Sequence, residues 1–169
     1  MTSTTAALQP EPAWAHNADH SRVQAVAPRD DVNETLDRLL VAERIYRYAW
    51  GYDERDAELL GACFTEDGVW KGSIMGTDPV GPFEGRAAVV EFLTGFWDLQ
   101  QDQRRHIFTN VVIDQLDADT ATAHAYLMLT AASDARMQPQ TTGPYRFDLV
   151  RDGGVWRMKR LNAGFDAPF

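Results

Sequence analysis

Two short segments of this chain carry side chains suited to moving protons. One is Tyr52-Asp53-Glu54-Arg55-Asp56; the other is Arg105-His106-Ile107-Phe108-Thr109-Asn110. A carboxylate beside an imidazole is an acid/base pair that needs neither metal nor cofactor, because imidazole takes up and releases protons near neutral pH. Asp53 and His106 lie far apart in the chain, so the fold must bring them together. The chemistry also needs a cavity from which water is largely excluded.

The elements around them are legible from periodicity. Asp31 or Asn33 can cap a helix whose apolar positions Leu36, Leu39, Leu40, Ile45, Tyr48, Ala49 and Tyr52 recur at helical spacing. Asp53 falls at its end, where the helix dipole disfavours a carboxylate, so a cationic or hydrogen-bonding partner is required. Asp56 reads as the cap of a short second helix, Ala57 to Phe64. Thr65-Glu66-Asp67-Gly68 reads as a turn and Val69-Trp70-Lys71 as the start of a strand. Residues 75 to 85 are rich in Gly and Pro and read as a loop. Gly85-Arg86 opens a third helix with apolar content at Val89, Val90, Phe92, Leu93, Phe96 and Trp97.

Beyond it the pattern predicts strands at about 103–115, 119–132, 141–151 and 154–163, with hairpin turns at Asp117 to Asp119 and at Asp152-Gly153-Gly154. Helices first and a meander of long strands afterwards indicate an α+β domain. His106 shares strand parity with Phe108, Asn110 and Val112. His124 and Tyr126 alternate with Met128 on the next strand and read as interface or surface packing, and Arg104 and Arg105 read mostly as edge charges, with binding of a polar substrate group by one of them as the alternative. Residues 1 to about 30 lack periodicity and read as a flexible or docked arm, with 31–169 as a single domain. Within the arm, Trp14 reads as an anchor, and His16 and His20 as solvated residues.

Composition removes several classes of function. The chain has 169 residues, 44% hydrophobic and 24% charged, and a formal net charge of −9. An acidic surface argues against nucleic acid and against anionic membranes. A single cysteine, Cys63, forbids an intrachain disulfide and sits between Ala62 and Phe64 as a small buried hydrophobe. There is no phosphate loop, dinucleotide fingerprint or metal-ligand cluster, so no cofactor is expected. No signal-peptide pattern and no membrane-length apolar run are evident, which gives a cytoplasmic expectation.

The ordered set of Tyr-Asp-x-x-Asp closing a helix, Phe64-Thr65-Glu66-Asp67-Gly68-Val69-Trp70, Phe83-Glu84-Gly85-Arg86, Arg105-His106 with Asn110, and Tyr145 through Trp156-Arg157-Met158 resembles the SnoaL-like branch of the nuclear transport factor 2-like superfamily, over about residues 33–163. That resemblance implies a cone: a curved antiparallel sheet wrapped on three helices around an apolar pocket, with dimerisation through the sheet in many members. The superfamily includes scytalone dehydratase, polyketide cyclases, ketosteroid isomerases and limonene epoxide hydrolase, besides non-catalytic members.

Carried over residue by residue, Tyr52-Asp53 and His106 are similar to the Tyr-Asp and one histidine of scytalone dehydratase. A second histidine of that enzyme falls near Ala131 here, and its Ser and Asn positions near Gly143 and Tyr145. The resemblance therefore implies Asp53 and His106 as catalytic residues and Tyr48, Tyr52, Trp70, Phe92, Phe96, Asn110 and Tyr145 as the substrate-binding wall. The implied activity is dehydration, isomerisation or aldol cyclisation of a hydrophobic oxygenated small molecule, of polyketide or steroid-like type, by a homodimer or higher oligomer. A ligand-binding or accessory-subunit role, and epoxide hydrolysis, are the alternatives.

Overall fold

A computed structural model describes residues 32–169, together with Ala13 and Val23. The expectations for the N-terminal arm, Trp14, His16 and His20 lie outside the described residues. The element order is α1 (Val32–Asp53), α2 (Ala57–Ala62), β1 (Phe64–Ile74), β2 (Asp78–Glu84), α3 (Arg86–Thr94), β3 (Gln103–Leu116), β4 (Thr120–Ser133), β5 (Arg136–Asp152) and β6 (Val155–Phe165).

The six strands form one curved sheet in the order β2-β1-β6-β5-β4-β3, and the helices pack on one face of it. The class is α+β, as the element pattern indicates. The sheet is mixed rather than purely antiparallel, because β1 runs parallel to its neighbour β6. Sequence order brings the first and last strands side by side through the helical crossing, and that pair has no hairpin to set it antiparallel. The sheet is open, with β2 and β3 as its edges.

Several local departures have plain physical causes. The Gly- and Pro-rich stretch is not a loop: Pro79 and Pro82 lie in β2, an edge strand, where a missing N–H leaves no ladder bond unmade. Thr65 to Gly68 sits inside β1 as an irregularity. Four residues lie between Phe64 and Val69 while only one lies between their partners Met158 and Arg160 on β6. Leu36, Leu39 and Leu40, though in register with the apolar stripe, stay 56%, 65% and 39% exposed, and the buried apolar contact of α1 with the sheet begins at Val41. The Gly153-Gly154 turn does form as expected, both glycines adopting positive φ (58° and 82°).

The core is filled by Val41, Ile45, Phe64, Leu60, Phe147 and Met158 between the helices and the sheet. Gly51 sets how closely α1 and α2 approach: a Cβ there would lie 2.8 Å from the backbone nitrogen of Leu60. The exposed start of α1 is held to the sheet by polar contacts instead. Asp37 accepts hydrogen bonds from Arg151 Nη2 at 2.7 Å and Trp156 Nε1 at 3.1 Å, and the Arg151 guanidinium stacks on the Trp156 ring at 4.6 Å.

The hydrogen bond from Arg151 holds the Asp37 carboxyl below its ordinary range. A depressed folded-state value stabilises the fold above the unfolded carboxylate value near 3.9, and that contribution is lost as pH falls through the folded value. Asp37→Asn is therefore expected to lower stability by about 1–2 kcal/mol at pH 7. The deficit relative to the parent should shrink at pH 3, as read by urea unfolding at both pH values.

Candidate functional site

Helix α1 ends in a way that aims Asp53 at the sheet. Asp56 N–H donates to Gly51 O at 2.8 Å and Arg55 N–H to Tyr52 O at 3.1 Å, with Arg55 in the left-handed region (φ 55°). This is a Schellman closure, usually built on glycine, and a non-glycine residue holds the position here. Asp56 then caps α2, its side chain accepting from Leu59 N–H at 2.9 Å.

Asp53, the last residue of α1, reaches across to β3. Its Oδ1 lies 2.6 Å from His106 Nδ1 and its Oδ2 accepts from the His106 backbone N–H at 2.7 Å. The two side chains are 7% and 9% exposed. The backbone N–H on the outer edge strand and the imidazole N–H supply the partners that a carboxylate at a helix C-terminus needs. With Asp53 ionised, both oxygens accept, which fixes the proton on Nδ1 and leaves Nε2 as the basic nitrogen. Among the described residues Nε2 has no protein partner.

His106 lines an apolar cavity of about 240 Å³. Tyr48, Tyr52, Trp70, Phe92, Phe96 and Tyr145 line it as well. The Tyr52 ring meets the imidazole edge-on, with centroids 4.8 Å apart. Trp70 Nε1 donates to the Tyr48 hydroxyl at 3.3 Å. Burial pushes the Tyr48 and Tyr145 phenols well above their usual value and raises that of Tyr52. All three are therefore protonated hydrogen-bond donors rather than bases at neutral pH.

Asn110 is the exception among the expected wall residues. It is exposed, outside the cavity lining, and sits at positive φ (52°) where the β3–β4 register shifts between Thr109 and Val112. This bulge reverses the strand's alternation: His106 and Phe108 face inward, but beyond it Val111 and Ile113 pack on the core while Val112 is exposed. Asn tolerates the left-handed conformation, which is what the position demands. His124 also differs from expectation, being 4% exposed beside Asp114 (Nε2 to Oδ2, 3.7 Å), whereas Tyr126 and Met128 are exposed.

Sequence reasoning missed other parts of the wall: Ile74, Val80, Leu129 and Phe165, the final Pro168 and Phe169, and the polar pair Gln100 and Arg104. Strand alternation pointed to Arg104, two residues before His106 on the same face. A second, polar cleft adjoins the cavity and has Asp53 in its wall, so the carboxylate stands behind the imidazole rather than in the cavity. Among the described residues, no group of three or more His, Cys, Asp or Glu is placed to hold a metal ion, and no helix is long and apolar enough to cross a membrane.

Comparison with known proteins agrees with this architecture. A family model described as a SnoaL-like domain matches residues 33–162. No curated protein sequence matches the chain. Among solved structures, a Catenulispora acidiphila protein in complex with S-DNPA is 27% identical (TM-score 0.67; 78% of this chain, 95% of that one). A putative aromatic ring hydroxylase from Novosphingobium aromaticivorans is 26% identical (TM-score 0.62; 79% and 90%). The beta subunit of a putative aromatic-ring-hydroxylating dioxygenase from the same organism shares the fold at 14% identity (TM-score 0.68; 79% and 92%).

Removing the Asp53 carboxylate strands a buried imidazole N–H and a backbone N–H together. Asp53→Ala is expected to destabilise the fold by about 2–4 kcal/mol. An unchanged midpoint in urea unfolding would show that the two residues do not bond in solution.

Proposed function

Because the chain belongs to the SnoaL-like domain family, which includes isomerases, dehydratases and cyclases, we propose that it is an acid/base enzyme acting on a small, apolar, oxygenated molecule. The observation that carries this reading is the 2.6 Å contact of Asp53 Oδ1 with His106 Nδ1, made by an imidazole in the wall of an apolar cavity. A volume of about 240 Å³ is below the roughly 300–1,000 Å³ of pockets for larger ligands, so the ligand body is one of one or two rings.

The reaction is proton abstraction next to a carbonyl. His106 Nε2 takes the α-proton, the electron pair of that C–H bond moves onto the carbonyl oxygen, and Asp53 stabilises the imidazolium that forms. The tyrosine hydroxyls are the donors for the developing enolate, and burial keeps their protons in place. In a dehydration the enolate then expels a β-hydroxyl, which leaves as water with the proton His106 had taken. In an isomerisation the same proton returns to a different carbon. Either cycle ends with neutral imidazole and requires no cofactor. Proton transfer of this kind contributes about 10²–10⁴-fold, and positioning in the cavity supplies the remainder. Asp53 acts through His106 and is a positioning residue.

An accessory-subunit role rests on a likeness of fold alone, whereas an ordered base at a cavity wall favours chemistry. The test uses 2-tetralone, a two-ring ketone, in D₂O. The parent protein is expected to accelerate exchange of its α-protons as followed by proton NMR, and His106→Ala to reduce that acceleration by about 10²-fold or more. Equal exchange with both proteins would refute His106 as the base.

A further inference from the structure

The apolar cavity has one polar corner. Tyr52, Gln100 and Arg104 line both the cavity and the adjoining polar cleft, so these three residues form the partition between the two hollows. Gln100 Nε2 donates to the Tyr52 hydroxyl at 3.1 Å across that partition.

Arg104 is held in place but only partly used. Its Nε donates to Asp102 Oδ1 at 2.6 Å, and the side chain is 15% exposed. Its Nη1 is buried with no hydrogen-bond partner among the described residues. Trp97 Nε1, in the wall of the polar cleft, is a second buried donor without one. A guanidinium has five N–H donors and cannot shed its charge, so a buried unpaired Nη1 is costly unless it has a task. The acidic groups at this end are committed: Asp53 to His106, Asp102 to Arg104, and Glu54 to Arg105 at 2.7 Å. Arg55 is engaged by the Gln100 backbone oxygen.

We infer that Arg104 is a specificity-determining residue that anchors a carboxylate on the ligand, with the apolar cavity taking the ring body. This inference rests on the proposed use of the cavity and names the class of molecule it takes: a small ring-bearing carboxylic acid. Because Nη1 is buried, the partition that Arg104 shares with Tyr52 and Gln100 has to open for the carboxylate to reach it. Arg104 and His106 are two residues apart on one face of β3, so the anchored group is held beside the base and the carbon to be deprotonated lies within the ring body. A carboxylate so buried needs a charged, hydrogen-bonding partner, and Arg104 supplies both charge and donor.

The test compares binding of 2-naphthoate with that of its neutral isostere 2-naphthamide by isothermal titration calorimetry. The parent protein is expected to prefer the carboxylate by about 10- to 100-fold, and Arg104→Gln to bring that ratio near one, with the loss larger for the carboxylate than for the amide. His106→Asn is expected to keep the preference and lose the exchange activity, which separates this inference from the acid/base assignment: exchange undiminished in His106→Asn, with the preference retained, would sink only the latter. No preference in the parent, or a preference that survives Arg104→Gln, overturns the anchor. Should Arg104→Gln fail to fold, the ¹⁵N guanidinium resonance of Arg104 in the parent is read instead. It should move with 2-naphthoate and not with 2-naphthamide, and no movement overturns the inference.

Discussion

The structure turns on one carboxylate with two obligations. Asp53 ends α1, where the negative end of the helix dipole disfavours its charge. Its two oxygens are matched to the two N–H groups of a single residue on β3, the backbone and the ring of His106. The pair therefore fastens helix to sheet and sets the imidazole's tautomer and tilt with the same contacts. A monodentate contact would leave the ring free to rotate about the backbone. The two-point clamp leaves it one orientation, with Nδ1 toward the acid and Nε2 toward the cavity. Stability and the proposed chemistry share the contact, so a change at Asp53 is expected to affect both.

The aromatic wall extends that constraint. Tyr48, Tyr52 and Tyr145 bring hydroxyls into an apolar space, and burial keeps each protonated. A cavity that holds neutral donors and one oriented imidazole divides the labour without a second base. In the reaction we propose, the donors would stabilise negative charge on oxygen and the imidazole would handle the proton. The polar corner at Tyr52, Gln100 and Arg104 breaks the cavity's symmetry, and under the proposed anchor it would give a ligand with one charged end a preferred orientation.

The sequence made the parts with strong local signals legible. Helical spacing located α1, the Asp56 cap located α2, and the paired glycines located the β5–β6 turn. Asp53 and His106 stood out because their residue types are uncommon in an apolar setting. What stayed hidden was decided by tertiary context. Pro79 and Pro82 argued locally for a loop, but an edge strand tolerates them. Asn110 was placed on the wrong face because alternation fails at the bulge where it sits. Leu36, Leu39 and Leu40 read as core because periodicity identifies a face and not how far the partner surface extends. Arg104 read as an edge charge because its type suggested solvent, although its parity with His106 pointed inward.

The central claim, that Asp53 holds the His106 proton on Nδ1, is tested most directly by the imidazole ¹⁵N shifts and proton couplings of the selectively labelled protein at a pH where the ring is neutral. The account predicts a protonated Nδ1 with a downfield, slowly exchanging proton and an unprotonated Nε2. A ring protonated on Nε2, or one exchanging rapidly between tautomers, would contradict it.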